Sequence, residues 1–486
     1  MRILYLDIDT TRPDHLGCYG YFRNTSPNID EVAKDGIIFT NYYCSDAPCL
    51  PSRTALLTGQ FGINNGVVNH GGKASQLRLE ENRDFKSRLE RESLFGMLRS
   101  KGIYTCGITP FASRHSAWYF YCGLNEIYDT GKYGDENADE VTPIALDWIE
   151  RNADKDNWYL HVNLWDPHTP YRTPDDFNPF EDCPIPDWIT EEVLETHKKL
   201  AGPHGALEIG MYSDFVPPRF PKQPGRLDTI ADVKKLFDGY DTGIRYADMH
   251  VGLIINKLKE KGIYDDMVII ISSDHGENMG ELGIYAEHGT ADNITCRIPM
   301  IIKWPKGIKN HVDNALHYNL DLLPTLAELL DIKPSPHWDG KSYAKTILTG
   351  ETCGHNYLVL GQMAHVCQRS VRFDDWLYIR TYHDGFHFFP KHMLFNVKED
   401  PYEQHNLAAE YPDIVNKASA LLLDWLDDNF KKNNYQEDVL HIVMREGGPF
   451  HAKGNLKHYL KHLIKTGREA YIEKYKEVHP EEFKGE

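Results

Sequence analysis

A cysteine at position 49 stands in the stretch DAPCLPSRTALLTGQ (46–60), between two prolines and four residues before an arginine. A lone cysteine is usually a small buried hydrophobe. Turn formers and a cation beside it suit a reactive group better. SRTALLTG reads as a helix with Ser52 as a plausible N-cap and Gly59 as its stop. A group just before that helix faces free backbone N–H donors and the positive end of the helix dipole, which favour a sulfate or an oxyanion. Arg53 keeps its charge and can brace that group. Three further polar pairs carry chemistry: Asp7 with Asp9 in DIDTTRPDHLGCYG, Asp166 with His168 in NLWDPHTPY, and Asp274 with His275 in IIISSDHGENMGE.

Each pair lies at the end of a predicted strand. RILYLDI, WYLHVNLW and DMVIIISS are apolar or β-branched runs of strand length, and GIIFTNYY, IYTCGIT and RIPMIIKWP are others. Helical segments separate them: SPNIDEVAK, ESLFGMLRSKG, EVTPIALDWIERN and the long amphipathic stretch from Thr229 to Gly262. Alternating strands and helices predict an α/β fold with a mostly parallel sheet covered on both faces. Ligands bind such sheets at the carboxyl ends of the strands. Strand alternation also puts Asp7 and Asp9 on one face.

The 486 residues allow one large domain and a smaller one, and 41% hydrophobic with 26% charged residues is the balance of a soluble globular chain. A net charge of −19 argues against nonspecific nucleic-acid binding and against docking on anionic membranes. Nine scattered cysteines without metal-type pairing suggest reduced thiols. With no charged-then-apolar leader before the first strand and no run of about 18 apolar residues, the expectation is a cytoplasmic protein without a membrane span.

CLPSRTALLTGQ resembles the signature of the type I sulfatases, members of the alkaline phosphatase superfamily, in which Cys-x-Pro-Ser-Arg leads into a helix with Leu-Thr-Gly. The resemblance covers residues 1 to about 410. It implies that Cys49 is oxidised by a formylglycine-generating enzyme to formylglycine, whose hydrate is the nucleophile, with Pro51, Ser52 and Arg53 as the modification signal. It implies Asp9, residue 49, Asp274 and His275 as ligands of one divalent metal, Ca2+ first by family. The imidazole ligand shifts the balance toward Mn2+ or Zn2+, and Mg2+ is a further alternative. DPHTPY resembles the family's His-x-Pro-Tyr/His element, so His168 would contact the sulfate or protonate the leaving oxygen.

Four positions depart from the family pattern. Thr10 replaces a second metal-binding Asp, with Asp7 expected behind the ligands. Pro110 and Ala112 occupy the places of a Lys and a His, and Arg114 and His115 in SRHSAWYFY are expected to stand in for them, His115 as a base. His288, in AEHGTADNITCRIP, occupies the place of the second sulfate-binding Lys. The expected catalytic groups are therefore Cys49, Arg53, His115 and His168, with Arg114 and His288 on the substrate anion. Trp118, Tyr119 and Tyr121 are read either as core or as a platform for a sugar or aryl ring. Arg372, Arg380, His383, His387 and Lys391 are read either as substrate-reading groups or as a solvated hairpin.

The expected architecture is an alkaline-phosphatase-like catalytic domain (1–335), a smaller C-terminal α+β subdomain with antiparallel strands (336–432) and a charged helical tail (433–486). The tail is either solvated or an arm on a second subunit of a homo-oligomer. The function expected from the resemblance is hydrolysis of a sulfate ester or N-sulfate on a small sulfated carbohydrate. A phosphonate monoester or phosphodiester hydrolase with the same nucleophile and a non-catalytic sulfosugar-binding relative are the alternatives.

Overall fold

The computed structural model describes residues 1–78 and 87–483. Eight strands form the large sheet: β1 (Arg2–Ile8), β2 (Ile37–Tyr43), β3 (Tyr104–Ile108), β4 (Glu126–Tyr128), β5 (Trp158–Leu164), β6 (Met267–Ser272), β7 (Met300–Lys303) and β8 (His311–Tyr318), in the order β8-β2-β7-β6-β1-β5-β3-β4. Only β7 runs against the others, pairing antiparallel with β6 and β2. The expected mostly parallel sheet is observed.

Helices cover both faces, and the period of two along β1 decides what each side chain meets. Leu4, Leu6 and Ile8 enter one core cluster with Trp148 of α2 (Ala138–Asn152) and with Leu236, Ile244 and Val251 of α3 (Ile230–Glu260). Ile3 and Tyr5 enter the opposite cluster with Cys49, Leu50 and Leu57. Those three belong to a ten-residue helix, Cys49–Thr58, in which every residue is buried. By the same alternation Asp7 faces this buried helix.

The buried helix begins three residues before the expected cap. Ser52 lies inside its first turn, and its backbone N–H donates to the carbonyl of Pro48 at 3.0 Å. Pro51 is tolerated there because the first-turn N–H groups have no intrahelical partner to lose. Gly59 closes the helix at φ 67°, a conformation that favours glycine.

A second sheet follows: β9 (Tyr357–Gln362), β10 (Cys367–Phe373), β11 (Trp376–His383) and β12 (His392–Asn396), antiparallel in sequence order, with the helix Pro412–Lys432 packed against it. Its free edge takes Asp46–Ala47, which pair in parallel with Gly361 and Gln362. The two sheets are therefore stitched together one residue before Pro48. Three short helices of the tail, Val439–Arg445, Leu456–Lys465 and Tyr471–Val478, pack on this same chain. Leu456, Tyr459, Leu463 and Tyr475 share a core with Phe386, and Glu208 accepts from Tyr459 (2.8 Å) and Arg468 (3.1 Å). That buried surface was expected to face solvent or a second subunit. Residues 484–486 lie outside the described residues. Among the described residues no helix is long and apolar enough to cross a membrane.

Candidate active site

β5, β1 and β6 are neighbours, so the three polar pairs meet at one edge of the sheet. Asp9 follows β1, Asp166 and His168 follow β5, and Asp274 and His275 follow β6. The Cys49–Thr58 helix is pinned to this edge by Ser52, whose hydroxyl donates to the Asp274 carbonyl at 2.6 Å and accepts from Asn319 at 3.1 Å. Cys49, the first residue of the helix, is thereby set beside His275, with Sγ 3.1 Å from Nε2.

Arg53 organises the carboxylates. Its guanidinium donates to Asp7 through Nε (2.9 Å) and Nη2 (3.1 Å), to Asp9 through Nη2 (2.8 Å), and to Asp274 through Nη1. It is 1% exposed and lies over the rings of Phe111 and Trp165. A buried cation among three carboxylates offsets their mutual repulsion and the cost of taking each from water. Every nitrogen of Arg53 donates to a carboxylate, so this side chain holds the acidic groups together.

One positive charge does not satisfy the cluster. Asp9 Oδ1 is buried without a hydrogen-bond partner, and burial, then Asp274, pushes the Asp9 carboxyl up to about 7. Asp274 stays well below the usual carboxylate range because Arg53 and His275 overcome its burial. His275 donates Nδ1–H to the Gly276 carbonyl (2.9 Å), which turns Nε2 inward toward Cys49 Sγ. Against burial, Asp274 and Cys49 hold that imidazole well above its ordinary value, so the site calls for another positive charge. Donor atoms of Asp9, Cys49, Asp274 and His275 lie within 4.8 Å of one another. An orphan carboxylate oxygen and an imidazole whose other nitrogen is held by a carbonyl fit a divalent cation. Asp7, taken up by Arg53, stays behind the ligands. Burial pushes the Cys49 thiol up to about 11, so at neutral pH it is not a thiolate.

The opposite wall is made of histidines. Ring nitrogens of His168 and His288 come within 4.8 Å of each other and of Cys49 Sγ. His168 Nδ1 is held by the Thr169 carbonyl. His288 Nε2 is 2.9 Å from Glu287 Oε1, and its Nδ1 is buried without a partner. Burial, followed by Arg114 and His288, holds His168 well below the usual imidazole value. Burial, followed by Arg114 and Arg53, does the same to His115. Both are neutral imidazoles while the pocket holds no anion. Arg114 lies over the Trp165 ring and donates to the Tyr133 carbonyl at 2.6 Å, and His115 Nε2 is buried without a partner. Of the residues expected at the site, Asp9, Asp274, His275, His168 and His288 gather around Cys49, and Arg114 lies near enough to act on both His168 and His115. Tyr119 packs behind the buried helix through Thr54 (2.8 Å), while Trp118 is 62% exposed.

Glu287, Gln362, Asn319 and Trp165 were not anticipated. Gln362 donates to the His288 carbonyl at 2.8 Å from β9. Glu287, adjacent to His288, and Trp165, adjacent to Asp166, had a signal in the sequence; Gln362 and Asn319 arrive from distant segments.

A family model described as Sulfatase matches residues 2–332, and one described as N-sulphoglucosamine sulphohydrolase, C-terminal, matches residues 280–426. The chain belongs to the sulfatase family. This sulfatase is 24% identical over 478 residues to an ulvan-active sulfatase of Formosa agariphila, an alignment covering 92% of this chain and 86% of that one. Among solved structures it is similar to the phosphonate monoester hydrolase of Agrobacterium radiobacter (TM-score 0.68, 20% identity, 88% of this chain and 96% of that one). It is also similar to a 2-O GAG sulfatase (TM-score 0.66, 19% identity, 93% and 97%). The sulfatase is a sulfuric ester hydrolase with the α/β fold of the alkaline phosphatase superfamily.

Proposed function

We propose that this sulfatase hydrolyses a sulfate ester or N-sulfate on a small sulfated carbohydrate, with position 49 as a formylglycine and with one divalent cation held by Asp9, residue 49, Asp274 and His275. The observation that carries the reading is the convergence of these four groups at the start of the buried helix, within the Cys-x-Pro-Ser-Arg signature. Formylglycine, once hydrated, supplies one hydroxyl to attack sulfur and a second whose deprotonation expels sulfate. The cation, when bound, neutralises ester charge and acidifies the nucleophile. Ca2+ is the family's ion, whereas the His275 imidazole favours Mn2+ or Zn2+.

The chain's own residues do the rest. Arg53 sets the carboxylates in place. Arg114 and His288 face the pocket where the ester's anion sits. An anion there opposes the field of Arg114 and favours the protonated form of His168, which then delivers its proton to the leaving oxygen. His115, neutral and with Nε2 unpartnered, takes the proton whose loss expels sulfate. Nine cysteines, none in a disulfide, support action in a reducing compartment such as the cytoplasm, on imported mono- or disaccharides.

The Asp274–His275 pair also suits a phosphonate monoester hydrolase, a solved member of which shares the fold. The deciding experiment produces the chain in its native host or with a formylglycine-generating enzyme. The Cys49 peptide is weighed, and turnover of matched aryl sulfate and aryl phosphonate esters is compared. Formylglycine at 49 with faster sulfate turnover is expected. An unmodified cysteine in active protein overturns the nucleophile, and faster phosphonate turnover overturns the substrate class.

A further inference from the structure

Behind His288 lies a second set of donors that the chemistry above does not use. His204 comes from the loop before α3, Glu287 ends the short strand Tyr285–Glu287, and His365 lies in the turn between β9 and β10. Their ligand atoms lie within 4.8 Å of one another, and their side chains are 9%, 8% and 9% exposed.

The hydrogen bonds leave one contact unbalanced. His204 Nδ1 is 3.1 Å from the Ile209 carbonyl and donates to it, which leaves Nε2 as the nitrogen available to a ligand. That Nε2 lies 3.0 Å from Glu287 Oε2 in a geometry that makes no hydrogen bond. A buried ring nitrogen and a carboxylate oxygen this close, with no hydrogen bond between them, call for a positive charge that both can share. Glu287 Oε1 is already engaged, accepting from the His288 backbone N–H and from His288 Nε2, each at 2.9 Å. Oε2 is therefore the free oxygen. His365 Nε2 reaches the same carboxylate at 3.7 Å, on its Oε1 side. Two imidazoles and one carboxylate are a zinc donor set with an open fourth position. A small cavity of about 10 Å3, about what one water needs, is lined by the three donors together with Met211, Tyr212, His387 and His451 among others.

We propose that His204, Glu287 and His365 form a second metal site, for Zn2+ or a transition ion of similar preference, separate from the one beside Cys49. Through Oε2 of Glu287 the ion fixes the carboxylate whose Oε1 holds His288 against the nucleophile pocket. It also clasps the 198–229 loop to the second sheet. His451 of the tail stacks on His365 with ring centroids 4.2 Å apart, so the ion orders the tail at the rim as well. The inference stands on these side chains alone and does not depend on the substrate or on formylglycine.

The test is a metal count with Zn2+ as the probe. Full-length protein is stripped with a chelator, equilibrated with Zn2+, freed of excess ion and analysed by plasma mass spectrometry. Two ions per chain are expected for the wild type, and one for the pair Asp9→Asn with Asp274→Asn. One is expected for His204→Gln with His365→Gln, and none for all four changes together. Should the histidine variants fail to fold, zinc anomalous scattering from crystals of the Asp9→Asn, Asp274→Asn protein decides: a peak between residues 204, 287 and 365 supports the site. No peak there, or two ions retained by a folded His204→Gln, His365→Gln protein, overturns it and leaves a shared proton as the positive charge.

Discussion

Arg53 donates through Nη2 to Asp9 at 2.8 Å, and the other oxygen of Asp9 is buried with no hydrogen-bond partner at all. The arginine takes one side of the carboxylate and leaves the other side for a cation. It also donates to Asp274 Oδ2, while the other oxygen of Asp274 accepts from the Thr10 backbone N–H at 3.2 Å, so that a single guanidinium aims two candidate acidic ligands from behind.

Replacing Arg53 therefore damages the site in a graded way. Arg53→Lys keeps the charge but cannot reach three carboxylates, because an ammonium lacks the planar fork. It is expected to fold, to bind its metal about 10- to 100-fold more weakly and to lose activity by at least that factor. Arg53→Met leaves three buried carboxylates uncompensated and is expected to cost about 3–5 kcal/mol in urea unfolding. Unchanged metal affinity in Arg53→Lys would remove the aiming role.

His168 can be separated from binding through the leaving group. A proton donor matters most when the departing alkoxide is basic. His168→Gln is expected to slow hydrolysis of sugar sulfates by roughly 100- to 10,000-fold, while an activated nitrophenyl sulfate suffers far less. Equal losses on both substrates would show that His168 only binds.

Arg114 and His288 are the groups proposed to hold the substrate anion. Arg114→Ala and His288→Ala are expected to lower kcat/KM about 10- to 100-fold each, at about 1.4 kcal/mol per tenfold. Steady-state kinetics on a sulfated sugar supplies the measurement. Near-wild-type turnover in either variant discards that residue.

Asp166 makes stability depend on pH in an unusual direction. Its Oδ1 accepts from the first N–H of α2 at 2.9 Å, its Oδ2 has no partner, and burial pushes it up to about 7. Unfolded, an aspartate titrates near 4. Between those values the native protein binds the extra proton, so this group's contribution falls as pH rises from about 4 to 7, by on the order of 4 kcal/mol. Asp166→Asn keeps the acceptor without the charge. Urea unfolding of this variant is expected to show a smaller loss of stability over that window than the wild type, and identical slopes would contradict the assignment.

Much of the site was legible because it is local. Cys49, Pro51, Ser52 and Arg53 are consecutive or nearly so, and each polar pair sits directly after an apolar run whose length and composition mark a strand. The periodicity of two also determined that Asp7 would share a face with Asp9, and burying that face against a helix is what delivers Asp7 to Arg53. The order of the strands is not written in any one of them. That β5, β1 and β6 lie side by side, and so bring Asp166, Asp9 and Asp274 to one edge, follows from how the helices pack over both faces. The start of the buried helix was misread because Ser52 has the chemistry of a cap, and only the nearby Asp274 carbonyl gives its hydroxyl another partner. The histidine wall belongs wholly to the tertiary structure. Gln362 and His365 reach His288 from the second sheet, and His451 comes from a tail whose charged sequence reads as solvated. Side chains far apart in the chain, each unremarkable alone, acquire their role when burial removes water and leaves them only one another as partners.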